Sequence, residues 1–128
     1  MTTGVIFPGQ GSQFVGMLQD FDSEYPVIKD YFGRASEILD LPLGDITWNG
    51  PTESLASTEI TQPALLTASV ALFEILQADA KIMPVAMAGH SLGEYSALVA
   101  SKALSFEDAV MLVHRRGLLM KEAVPTGD

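Results

Sequence analysis

Residues 84–101 read Pro84-Val85-Ala86-Met87-Ala88-Gly89-His90-Ser91-Leu92-Gly93-Glu94-Tyr95-Ser96-Ala97-Leu98-Val99-Ala100-Ser101. The apolar run over 84–88 predicts a strand, and 92–101 predicts a helix. Between them, Gly89-His90-Ser91-Leu92-Gly93 matches G-x-S-x-G. In that pattern the flanking glycines let a serine occupy a sharp strand-to-helix turn with its hydroxyl turned outward. The plainer alternative is a helix-packing turn. A strand, a turn and a helix in immediate succession put the chain in the α/β class.

Working outward, Ser105 followed three residues later by Asp108 is a capping pattern. It predicts a helix over 105–123, stopped by Pro125 and Gly127. Upstream, Leu66, Val70, Phe73 and Leu76 predict a helix over 61–80, with Pro63 in its first turn. Residues 41–58 carry Pro, Gly, Asn and Ser breakers and read mostly as loop. Apolar residues at helical spacing predict a helix over 26–39. Near the N-terminus, 4–7 reads as a short buried strand, broken by Pro8-Gly9-Gln10-Gly11. Two strands among about four helical segments fall short of the four to six strands usual in an open α/β sheet. The expectation is therefore an incomplete α/β core with parallel strands, the serine turn at its edge, and further sequence beyond residue 128.

The 128 residues are 48% hydrophobic and 18% charged, which fits one globular domain. There is no cysteine, so disulfides, thiolate nucleophiles and cysteine-held metals are excluded within the chain. Seven Lys and Arg stand against sixteen Asp and Glu, a formal net charge of -9 that opposes nucleic-acid binding. No basic stretch precedes the apolar start, which does not fit a secretory signal, so a cytoplasmic setting is expected. The uncharged stretch near 60–73 is read as too short to span a bilayer, and no membrane association is expected.

An outward-facing serine suits attack on an acyl carbonyl, whose oxygen then gathers negative charge. The Leu92 N–H, at a helix start, is placed to receive that charge. The turn Gly9-Gln10-Gly11-Ser12-Gln13 follows the first strand and can expose a second N–H, that of Gln10, at the same sheet edge. Taken alone it is a strand-ending turn and not a phosphate loop. Projected at about 100° per residue, Arg116 falls inside the apolar arc of the last helix, whereas His114 and Arg115 project to its polar side. A guanidinium in apolar surroundings needs an anionic partner, either a protein carboxylate or an acid group on a substrate.

Four segments, Gly9-Gln10-Gly11-Ser12-Gln13, Thr61-Gln62-Pro63-Ala64, Gly89-His90-Ser91-Leu92-Gly93-Glu94-Tyr95 and Arg116-Gly117, resemble in order and spacing the malonyl-CoA:acyl-carrier-protein transacylases of bacterial fatty-acid synthesis. The resemblance covers nearly the whole chain. It implies that 1–128 is the N-terminal part of an α/β-hydrolase-like core, and that the family's ferredoxin-like subdomain is absent from this chain. It implies transfer of malonyl from malonyl-CoA through Ser91 to the phosphopantetheine thiol of an acyl carrier protein, with no cofactor and no metal. By the same resemblance Gln10 and Leu92 form the oxyanion hole, Arg116 holds the malonyl carboxylate and Gln62 is a pocket residue; His90, beside the nucleophile, is a further pocket candidate. The net acidity then requires a locally basic surface for the CoA phosphates.

The family's general base is a histidine downstream of the subdomain, and this chain ends before both. His90 adjoins Ser91, but neighbours on a tight turn usually point apart, and His114 faces the polar side. Two alternatives stand beside this reading: a serine esterase that releases the acyl group to water, and a non-catalytic fragment or interaction module. Oligomeric state is not legible in the sequence.

Overall fold

The computed structural model describes residues 2–124. The expected stop at Pro125 and Gly127 lies outside the described residues. Strand β1 (Gly4–Phe7) leads through a loop to helices α1 (Gln19–Asp22), α2 (Val27–Leu39), α3 (Leu43–Asn49), α4 (Thr52–Ala56) and α5 (Thr58–Ala80). Strand β2 (Ala86–Gly89) follows, then α6 (Gly93–Ala100) and α7 (Phe106–Ala123). The fold is mostly helical with a small parallel sheet, in which Gly4 pairs with Ala86 and Phe7 with Gly89. Both expected strands are present, β2 shifted towards the serine turn, but β1 is not buried as expected: Phe7 is, while Ile6 is 81% exposed, because among the described residues no further strand lies beside the pair.

Residues 41–58 are not mostly loop, as the breakers had suggested. The prolines and Gly50 sit at helix boundaries, whereas Gly44 and Ser54 lie inside helices. Pro42 precedes α3, Gly50 ends it at a φ of 77°, and Pro51 precedes α4. Pro fits just ahead of a helix, where an N–H would have no partner, and Gly accepts the left-handed region that a helix end uses.

Helix α5 also departs from expectation. It begins at Thr58, with Thr61 Oγ1 bonded to the carbonyls of Leu55 and Ser57, so Pro63 lies in the second turn rather than the first. A proline there leaves the carbonyl four residues earlier, that of Glu59, without its helical donor. From Ile60 to Ala71 every residue of α5 is buried. Helices α2, α6 and α7 pack around it, which is what an apolar helix without a polar face requires. Among the described residues α5 is the one helix long and apolar enough to cross a membrane, so length alone does not exclude a span as the sequence reading held; 67% of its apolar window is buried inside the fold. Leu66, fully buried at its centre, would cost about 2–5 kcal/mol if cut to alanine.

Helix α7 starts as predicted, with Ser105 Oγ accepting from the Asp108 N–H at 3.1 Å. Its buried stripe is Phe106, Ala109, Val110, Val113 and Gly117. Gly117 allows the helix to press on α5, because a Cβ there would stand 2.5 Å from Glu59 Cα. Farther up α7, Glu107 forms an ion pair with Arg34 of α2, whose guanidinium lies over the rings of Tyr31 and Phe106.

Candidate active site

Ser91 stands between β2 and α6 with a φ of 56°. The left-handed turn is held by short bonds on both sides. The His90 N–H reaches the Phe7 carbonyl at 3.2 Å, and the Gly93 and Glu94 N–H groups reach the His90 and Ser91 carbonyls at 3.0 Å. Gly93 lets α6 start against the end of β1, since a Cβ there would meet the Phe7 carbonyl oxygen at 2.3 Å. The Ser91 hydroxyl is on the exposed side of this turn, while Leu92 is fully buried and anchors it.

The turn after β1 packs on the serine turn, because a Cβ on Gly9 would stand 2.5 Å from the His90 carbonyl oxygen and 3.0 Å from His90 Nδ1. Its next residue, Gln10, is tied by Nε2 to Thr58 Oγ1 at 3.2 Å. Among the described residues, neither the Gln10 N–H nor the Leu92 N–H is engaged by an acceptor. Two free donors therefore flank adjacent turns, and Leu92 opens a helix whose N-terminal partial charge favours an anion.

Arg116 joins this group from α7. Its Nη2 donates to Ser91 Oγ at 3.0 Å and its Nη1 to Gln62 Oε1 at 2.8 Å. The guanidinium also lies over the Tyr95 ring, 5.4 Å from the centroid. It is half-buried at the edge of the α7 stripe, not within it: Leu112 and Leu119, its neighbours in the projected arc, are exposed. The arc drawn from sequence was centred too far to one side. No carboxylate pairs with Arg116 among the described residues. The protein ion pair weighed as one alternative is thus not the contact observed, and the cation is held by a neutral amide, a hydroxyl and a ring.

Gln62 is fully buried and uses both ends of its amide, accepting from Arg116 and directing Nε2 at Met120 Sδ, 3.2 Å away. The two histidines go elsewhere. The exposed His90 lies against the Gly9 turn, and no hydrogen bond links its ring to Ser91 among the described residues. His114 was expected on a solvated face. It is half-buried instead, with Nδ1 2.9 Å from the Glu59 carbonyl. Tyr95 and Met120 had no role in the sequence reading. Their part is visible only once α6 and α7 converge, although Arg116, Met120 and Gly117 at helical spacing mark the face concerned.

Glu59, three residues before Gln62 on α5, gathers a second polar cluster. Ser57 Oγ donates to its carboxylate at 2.7 Å and Lys121 Nζ approaches at 2.9 Å. Burial pushes the Glu59 carboxyl pKa up, but the Ser57 hydroxyl, Lys121 and its own N–H outweigh it and hold it below the ordinary 4.5.

The family model for the acyl transferase domain matches residues 5–128. The malonyl CoA-acyl carrier protein transacylase of Salmonella typhimurium is 54% identical over 122 residues, covering 95% of this chain and 40% of the relative. The solved structure of the corresponding Coxiella burnetii transacylase superposes with a TM-score of 0.96 at 48% identity, covering all of this chain and 40% of that one. A malonyl-transacylase solved in complex with its type II PKS acyl-carrier protein gives a TM-score of 0.94 at 48% identity, covering 98% and 40%. The chain thus spans about 40% of the length of the curated relatives it matches.

Proposed function

This chain belongs to the acyl transferase domain family, and from that premise we propose that it is the N-terminal part of a malonyl-transferring core domain with Ser91 as its nucleophile. The hydrogen bond from Arg116 to Ser91 Oγ carries the reading. A cation fixed on a serine hydroxyl suits an acyl group that ends in a carboxylate, and malonyl places its carboxylate one methylene from the reacting carbonyl. A neutral acyl group has no use for that cation, which weighs against the α/β-hydrolase-like esterase alternative.

In the proposed reaction, Ser91 Oγ attacks the thioester carbonyl of malonyl-CoA and gives up its proton to a base. The resemblance assigns that base to a histidine downstream of these 128 residues. The Gln10 and Leu92 N–H groups hold the oxyanion, each such donor typically contributing about 3–4 kcal/mol. Collapse breaks the C–S bond and releases the CoA thiolate, which takes the proton. The phosphopantetheine thiol of an acyl carrier protein then attacks the Ser91 ester and receives the malonyl group, regenerating the hydroxyl. The chemistry written this way uses side chains and backbone alone, without cofactor, and belongs to a cytoplasmic setting. A relative solved with its acyl-carrier protein supports that choice of acceptor.

Mass spectrometry of the intact protein quenched with malonyl-CoA tests the assignment. A malonyl ester is expected on Ser91, lost in Ser91→Ala. Label on Ser12 or Ser96 in a still-active Ser91→Ala variant would overturn it, and release of free malonate without a carrier would favour hydrolysis.

A further inference from the structure

We propose that His114 is a positioning residue for Arg116, acting through the carbonyl that Pro63 leaves unpaired. This rests on the substrate role of Arg116 proposed above. Pro63 lies inside α5 and has no N–H, so the Glu59 carbonyl lacks the donor that position 63 would supply in any other helix. A half-buried carbonyl left without a partner is destabilising. The His114 ring fills the vacancy, with Nδ1 2.9 Å from the Glu59 oxygen. A carbonyl only accepts, so Nδ1 carries the proton and the tautomer of a neutral His114 is fixed.

The bond does more than satisfy one oxygen. His114 lies two residues before Arg116 on α7, and Glu59 lies three before Gln62 on α5. Between these pairs, Gly117 brings the α7 backbone against Glu59 itself. On the next turn Lys121 holds the Glu59 side chain. The His114 contact and the Lys121 contact therefore bracket Arg116, fixing the height and rotation of α7 on α5. That alignment is what lets one guanidinium reach Gln62 Oε1 and Ser91 Oγ together. The proline of Thr61-Gln62-Pro63-Ala64 so acquires a purpose. It creates an acceptor for the neighbouring helix one turn below Gln62, at a point where an ordinary helix would have none.

The test uses the intact protein and compares malonyl-CoA with acetyl-CoA. His114→Ala is expected to raise KM for malonyl-CoA about five- to tenfold, the scale of one hydrogen bond, with acetyl-CoA kinetics little changed. His114→Asn, whose amide nitrogen stands near the Nδ1 position, should recover most of the loss, and His114→Gln should not. Pro63→Ala returns a backbone donor to Glu59, so His114→Ala should cost clearly less in that background. Imidazole 15N shifts should report the Nδ1–H tautomer in the unsubstituted protein. Equal loss with both thioesters beside a lowered melting temperature would reduce His114 to a structural contact and overturn the proposal. So would an unchanged malonyl-to-acetyl ratio in His114→Ala while Arg116→Ala shifts it. An unchanged ratio in Arg116→Ala itself would instead sink the substrate reading, and the positioning role with it.

Discussion

Replacing Gly117 by alanine sets two effects of opposite sign against each other. In an open helix the change stabilises by about 0.8–1.0 kcal/mol, because glycine has the poorer helix propensity. In α7 the new Cβ would stand 2.5 Å from Glu59 Cα and 2.8 Å from both Glu59 N and the Thr58 carbonyl oxygen, all backbone atoms that cannot swing aside. Reaching ordinary contact at 3.4 Å requires α7 to retreat by about 0.9 Å. Overpacking of this kind costs about 1–3 kcal/mol. The same retreat would stretch the Arg116–Gln62 bond of 2.8 Å and the His114–Glu59 bond of 2.9 Å beyond useful range. Their loss adds about 1 kcal/mol each, so after the propensity gain is set against these terms the net expectation is destabilisation by about 2–4 kcal/mol. Gly33→Ala supplies the control: it lies on the exposed side of α2 with nothing within 4 Å, and should stabilise by about 0.5–1 kcal/mol. Urea unfolding of the intact protein, read as a change in midpoint at constant slope, measures both. If Gly117→Ala proves as stabilising as Gly33→Ala, the close approach of α7 to α5 is wrong, and with it the alignment proposed for Arg116 and His114.

Arg116→Ala in the intact protein should lower kcat/KM for malonyl-CoA relative to acetyl-CoA by about 2–4 kcal/mol of discrimination, roughly thirty- to a thousandfold. Arg116→Lys should recover only part, since an ammonium cannot keep two directed donors on Gln62 and Ser91. Stability should fall as the pH drops below about 4.5. Glu59 and Glu107 are both held below that value in the fold, so the stabilisation they give above it is lost as each takes up its proton. Glu59→Gln should flatten this acid limb in urea titrations, and a limb as steep as before would remove Glu59 from the account.

The elements that sequence disclosed well are those whose signal is local. The Ser105 cap, the apolar run before Gly89 and the periodicity of 26–39 each depend on a few adjacent residues; the cap and the helix appear where expected, and the strand only two residues later. The failures came from contacts distant in sequence. Gly44 read as a breaker, yet it lies inside α3 because a Cβ there would stand 2.8 Å from the Trp48 ring, which turns back over it. Pro63 read as a first-turn residue because the short helix α4 ahead of it was not anticipated. His114 was assigned to solvent because the projection could not show that α5 would offer a bare carbonyl beside it. At the site, the resemblance grouped Ser91, Arg116 and Gln62, and hydrogen bonds link the three, but which partner holds the guanidinium followed only from the packing of α6 and α7 around α5.

Ser91 has a further consequence for anyone who would engineer this chain. A non-glycine residue at a φ of 56° carries a backbone cost on the order of 1 kcal/mol that glycine would not. The fold alone would therefore choose glycine at 91, and a redesign that rewarded only thermal robustness would erase the hydroxyl on which the proposed chemistry depends. Robustness and reactivity compete here for a single position, and Ser91→Gly is expected to give a tougher protein with an empty hand.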